Sequence, residues 1–196
     1  MADVDIDIPE YKRVNDNTFA VIIANERYQP GHGVPNEKTR DAFLLPVDAD
    51  GSHTEVCYPL GKLYQELASL HVNSVIVFLD ACFCGVSSDG TPLSASARGL
   101  GLMPKQVEPT GNMVVFSAAS GDETAYPYAD HGHGLFTYFL LKKLQDSKGS
   151  ASLGDLASFI IDNVKKKSVL INQKIQTPTV RYPLDLQTSW QKMKLR

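Results

Sequence analysis

The sequence predicts an α/β fold, a mainly parallel β-sheet with helices on both faces. Three observations predict it. Apolar, partly β-branched runs of strand length recur as FAVIIA (19–24), VIVFL (75–79) and MVVF (113–116). They are continuous rather than alternating, as strands buried on both faces read. Amphipathic segments of helical spacing lie between and after them. A strand–helix alternation of this kind favours parallel pairing through right-handed crossovers.

Taken in order, residues 1–17 are polar and acidic and read as a loose leader, and residues 18–196 as one domain. FAVIIA is the first buried strand. From Leu60 to Leu70 apolar residues fall at 60, 63, 64, 67 and 70, which is helical spacing, with Pro59 suited to the first turn. VIVFL is the second strand. The stretch 85–111 is rich in Gly and Ser with few large apolar residues and reads as a long surface loop, a length that is usually functional or disordered inside a compact domain. MVVF, opened by Gly111-Asn112, is the third strand. Phe136, Phe139, Leu140 and Leu144 share a helix face, and that helix is expected to stop before Gly149. Ser152 with Asp155 marks a further helix start, followed by Leu156, Phe159, Ile160 and Val164 on one face. Parallel sheets carry their sites at the carboxyl ends of the strands.

Composition narrows the function. The 196 residues are 43% hydrophobic and 21% charged, a globular balance with room for one sizeable core. The net charge of −3 gives no electrostatic reason to expect nucleic acid or an anionic membrane as partner. No apolar run approaches the roughly 18 residues that cross a bilayer, and the acidic start has none of the basic and apolar regions of a signal peptide. The compartment stays open between the cytoplasm and export by a leader outside this chain. Cys57, Cys82 and Cys84 are too few, and odd in number, for a disulfide scaffold.

Two short motifs carry chemistry. Asp80-Ala81-Cys82-Phe83-Cys84-Gly85 follows VIVFL directly, so Cys82 falls on the sheet rim, where a nucleophile meets its substrate. A thiol attacks as thiolate and needs a nearby base or a depressed pKa. Gly31-His32-Gly33 offers a histidine able to hand a proton to a leaving amine. Its glycines admit a substrate backbone, and the Gly33 amide could donate to an oxyanion. The bland alternatives are a small buried cysteine ending a strand and a glycine turn with an exposed histidine.

Together these residues resemble the caspase and metacaspase families. The resemblance rests on FAVIIAN, Gly31-His32-Gly33, DACFCG after an apolar strand, and FSAASGDETAY followed by GHGLFTYFLLKKL. It runs in the family's order from Thr18 onward and looks closest to the bacterial caspase-like proteins. It implies a caspase-like sheet flanked by helices and peptide-bond hydrolysis by a Cys–His dyad. By resemblance His32 is the catalytic histidine, Cys82 the nucleophile, and the amides of Gly33 and Cys82 the oxyanion donors. Asp80 matches an acidic side chain that metacaspases use to bind a basic P1 residue. Asp122 and Glu123 fall in the loop that builds one wall of the family's substrate pocket, with a solvated acidic turn as the bland alternative. Arg98 and Lys105 lie in a loop that such enzymes often cut themselves, and are candidate self-cleavage points.

The chain departs from the family pattern at two places. The family separates its first strand from the GHG motif by roughly two strand–helix units, each about 30 residues. Here Asn25 to Gln29 runs almost directly into Pro30-Gly31-His32, so either residues are missing or strands are absent from the sheet. Cys84 stands where serine is more usual and invites oxidation or metal capture.

The expected function is therefore a cysteine endopeptidase cutting after Arg or Lys, with a protein or peptide substrate. No cofactor is expected, and calcium dependence, a property of some metacaspases, has no signature to read. The rivals are an inactive caspase-homology module that binds or regulates a partner, and a thiol redox protein using Cys82-Phe83-Cys84. A zinc site from His131, His133, Cys82 and Cys84 is disfavoured because the pairs match no usual ligand spacing.

Overall fold

β5 (Ser74–Leu79) is the strand around which the sheet is built, and all six of its residues are buried. In the computed structural model, which describes residues 3–5, 17–23, 31–35, 39–46, 54–83, 104–121 and 123–195, β5 lies between β1 (Thr18–Ile23) and β7 (Met113–Ser117). Both neighbours run parallel to it, Thr18 opposite Ser74 on one side and Val75 opposite Met113 on the other. β10 (Thr179–Arg181) closes the far edge, antiparallel to β7. The VIVFL and MVVF runs are thus adjacent parallel strands, as the continuous apolar pattern requires.

The period-2 alternation of strand side chains divides the core between the two faces. Ile76 and Phe78 of β5, with Val114 and Phe116 of β7, face α2 (Leu135–Asp146) and α3 (Leu153–Asn172). The Phe78 and Phe116 rings lie 5.0 Å apart, within the range of favourable aromatic packing. Val75, Val77 and Leu79, with Met113 and Val115, face Leu60, Tyr64 and Leu67 of α1 (Leu60–Ala68). Each large side chain so buried contributes roughly 1.5–3 kcal/mol by leaving water. The result is a mainly parallel sheet with helices on both sides.

The helices start and stop where local chemistry directs. Ser152 caps α3, its Oγ accepting from the Asp155 amide at 3.1 Å while Asp155 accepts from the Ser152 amide at 3.2 Å, the reciprocal capping box. α1 begins directly after Pro59. α2 ends at Asp146, ahead of Gly149, which has φ 66°. Within the acidic leader, Asp3–Asp5 forms one 3-10 turn with Val4 buried against Tyr138 of α2, so this part of the leader is packed rather than loose.

A second set of strands sits beyond the carboxyl end of β5. β6 (Ala81–Cys82) continues the chain of β5 after Asp80. β2 (Gly31–Pro35) runs parallel to β6 and antiparallel to β3 (Ala42–Leu44), which pairs with β4 (Tyr58–Pro59). β1 and β2 each run parallel to successive parts of residues 74–82. The chain takes eight residues from Ile23 to Gly31 while its partner advances two, from Leu79 to Ala81. Among the described residues no further strand lies outside β1, whose Phe19 and Ile22 are exposed.

Candidate active site

The parallel register of β2 on β6 sets Gly31 opposite Ala81 and His32 opposite Cys82. Neighbouring strands are about 4.8 Å apart, so the two backbones are immediate neighbours at the carboxyl end of the sheet. Gly33, one residue on, pairs with Leu44 of β3, so His32 stands where β2 passes from one neighbour to the other. Arg98, Asp122 and Cys84 lie outside the described residues.

Phe83 packs on the α1 side of the core and lines a cleft of about 110 Å³ together with Ser117, Ser120 and Gly121 of the β7 end. Lys105 and Arg181 complete its wall. The segment carrying Lys105 is held in place on both sides. The Lys105 amide donates to the Arg40 carbonyl at 2.6 Å, and Arg181 donates to Gln106 at 2.9 Å and to Glu108 at 3.0 Å. Lys105 is itself exposed.

Asp80 is 4% exposed, and its carboxylate is unevenly used. Oδ2 accepts from the Thr137 hydroxyl at 2.6 Å and from the Thr137 amide at 3.3 Å. Oδ1 is buried and has no partner among the described residues. Helix α2 explains the arrangement. Its N-cap is Gly134, which has no side chain to satisfy the first amides. Asp80 supplies that acceptor from the neighbouring strand, at the end of the helix where the dipole favours an anion. Burial pushes the Asp80 pKa up to about 6, against the lowering effect of the Thr137 bonds and of His133.

Glu123 is committed to the fold. Its carboxylate accepts from the Thr177 amide and, at 3.0 Å, from the Thr177 hydroxyl, tying the loop after β7 to the chain that enters β10. Gln176 performs a second tie that sequence reasoning did not single out. Fully buried, it accepts from the Tyr126 amide at 2.9 Å and donates to the Ala118 carbonyl at 2.9 Å. Thr137 and Arg181 were missed too. A glutamine in QTP, a threonine in a helix and an arginine in a short edge strand carry no spacing signal of their own.

His131 and His133 face the N-terminal turn. His133 Nε2 lies 2.8 Å from Asp5 Oδ1, and His131 Nδ1 3.5 Å from Asp3 Oδ1. Tyr138 donates to Asp3 at 3.0 Å, and its own pKa is pushed up to about 12, by burial first and then by Asp3. Among the described residues no group of three or more His, Cys, Asp or Glu is arranged to hold a metal ion. No helix among them is long and apolar enough to cross a membrane.

Known proteins agree with this architecture. The family model of the caspase domain matches residues 13–186. Among solved structures, the chain is similar to caspase-1 from Spodoptera frugiperda, with a TM-score of 0.52 and 13% identity over 90% of this chain and 62% of that one. A protein from Geobacter sulfurreducens gives a TM-score of 0.57 and 15% identity over 91% of this chain and 70% of that one. At these identities the likeness is one of fold. The chain thus spans less than two thirds of the insect caspase. No curated protein matches it.

Proposed function

The chain belongs to the caspase-domain family, and on that premise we propose that it is a cysteine endopeptidase using Cys82 and His32. The Cys82 thiolate attacks the scissile carbonyl and forms a thioester as the C–N bond breaks. His32 protonates the departing amine. The amides of Gly33 and Cys82 hold the oxyanion, and water then hydrolyses the thioester to regenerate the thiol. The reaction needs no cofactor. The observation that carries this reading is the register of β2 on β6, in which the backbones of His32 and Cys82 are direct partners.

For the substrate we propose a basic P1 residue, Arg or Lys, recognised by Asp80 with Asp122. What supports it is the carboxylate of Asp80, two residues before Cys82, with an oxygen that no described group uses. In this reading Glu123 takes no part in the recognition, since both its oxygens accept from Thr177. An acidic P1 is the second reading, favoured by Arg181 and Lys105 on the wall of the cleft beside Phe83.

Turnover of fluorogenic peptides with P1 Arg, Lys and Asp, compared with Cys82→Ala and His32→Ala, tests both. The expected result is hydrolysis after Arg and Lys that both variants abolish. Preference for P1 Asp would select the second reading. No turnover of any peptide above the Cys82→Ala background would leave a caspase-homology module that binds without cutting.

A further inference from the structure

We propose that Thr137 is the positioning residue for substrate selection: by taking Asp80 Oδ2 with both its hydroxyl and its amide, it leaves Oδ1 as the acceptor for a cationic P1 side chain. The inference rests on the basic-P1 reading and names the residue that makes it work. Three observations meet here. The two Thr137 donors converge on one oxygen at 2.6 and 3.3 Å. The other oxygen is buried without a partner among the described residues. The carboxylate sits at the amino end of a twelve-residue helix whose own cap, Gly134, has no side chain.

A carboxylate tethered through both oxygens would already be satisfied and would offer a guanidinium little. A carboxylate without a tether would rotate and would lose rotamer freedom on binding. Fixing one oxygen and sparing the other preorganises a charge-assisted bond to the substrate. Thr137 also helps to keep Asp80 ionised. Its two bonds oppose the burial that raises the carboxyl pKa, as does the charge of His133, the one other titratable group that acts on Asp80 among the described residues. Valine at 137 has the same shape and keeps the helix amide but removes the hydroxyl, so Asp80 should take up a proton at higher pH. Serine restores the hydroxyl.

The experiment compares wild type, Thr137→Val, Thr137→Ser and Asp80→Asn on matched peptides with P1 Arg and P1 norleucine across pH. In parallel, the Asp80 carboxyl is titrated by carbon NMR in aspartate-labelled protein, with Asp80→Asn assigning the signal. Thr137→Val is expected to raise KM for the Arg peptide about tenfold with little change in kcat. Its acid limb should move to higher pH and the Asp80 signal should titrate higher, while the norleucine peptide is unaffected and Thr137→Ser behaves as wild type. An Asp80 signal that titrates alike in wild type and Thr137→Val overturns the inference whatever the activity. Equal losses on both peptides overturn it too, because they report a damaged fold. If Asp80→Asn loses Arg preference and Thr137→Val keeps it, the inference falls and the pocket reading stands. If wild type or Asp80→Asn shows no Arg preference to lose, both fall together.

Discussion

Asp80 shows how one residue answers to two demands. As a cap it must accept from the amino end of α2, and as the end of a buried strand it must do so out of water. The second demand is costly and sets a measurable pH dependence. A carboxyl whose pKa is raised from 3.8 to about 6 by burial holds its proton more tightly folded than unfolded. Its contribution to stability is complete below the unfolded value and is lost as pH rises through about 6. A shift of that size corresponds to about 3 kcal/mol. Wild type should therefore gain on Asp80→Asn by about 2 kcal/mol of that amount between pH 8 and pH 4.5, read as a widening difference in denaturant midpoints. A constant difference across that range would mean that Asp80 is not desolvated as described. The resemblance of DACFCG to the metacaspase motif is what singled out Asp80 in the sequence. Its partner was not legible, because Thr137 is 57 positions away and the contact exists only once α2 lies across the end of β5.

At the scale of elements, the long apolar runs and the 3.6-residue periodicities read directly as β1, β5, β7, α1, α2 and α3. The physical reason is that β5 and β7 are buried on both sides and the helices along a stripe, so their patterns are set by the elements themselves. β1 has the same apolar run but exposes Phe19, Ala20 and Ile22, so the expectation of a strand buried on both faces fails there. The short strands β2, β3, β4, β6, β8 (Pro127–Tyr128) and β9 (His133–Gly134) have two to five residues, and β10 has three. They are defined by what pairs with them, so no pattern announces them. The candidate site is assembled largely from such pieces. The loop between β7 and α2 likewise depends on distant partners: Gln176, from the chain after α3, joins Tyr126 to Ala118 across it. Gln176→Leu is of similar size but removes the side-chain bonds to the Tyr126 amide and the Ala118 carbonyl. At about 1–3 kcal/mol for each buried group that loses its bond to Gln176, the variant should lose about 2–6 kcal/mol in chemical denaturation and have a lower Tm. A loss under about 0.5 kcal/mol would mean that water replaces the side chain and that the loop does not rely on it.

At the scale of the whole molecule, the question is what a cut between β6 and β7 would do. The sequence marks residues 85–111 as a surface loop with Arg98 and Lys105 as candidate points, and the fold separates their consequences. Lys105 is held to Arg40 through its amide, and the residues after it are held by Arg181 through Gln106 and Glu108. A cut after Arg98 leaves these ties intact, whereas a cut after Lys105 severs the chain at the clasp. In either case the fragments share the core. β5 and β7 pair along five registered positions, and the side chains of both strands are buried together against α1 on one face and against α2 and α3 on the other. Separating the fragments would expose the apolar side chains packed across the β5–β7 seam, from α1 on one face and from Ile76 and Phe78 on the other. Self-processing should therefore yield two bands on a denaturing gel but one particle of unchanged size in gel filtration, and Cys82→Ala should stay whole. A cut after Lys105 should be slow, because a protease needs its target segment free of existing main-chain bonds and the Lys105 amide is held by the Arg40 carbonyl. Fragments that part without denaturant would show that β5 and β7 do not form a common core. Cleavage that persists in Cys82→Ala would assign the cut to another protease, and a first cut after Lys105 would show that the tie to Arg40 opens easily in solution.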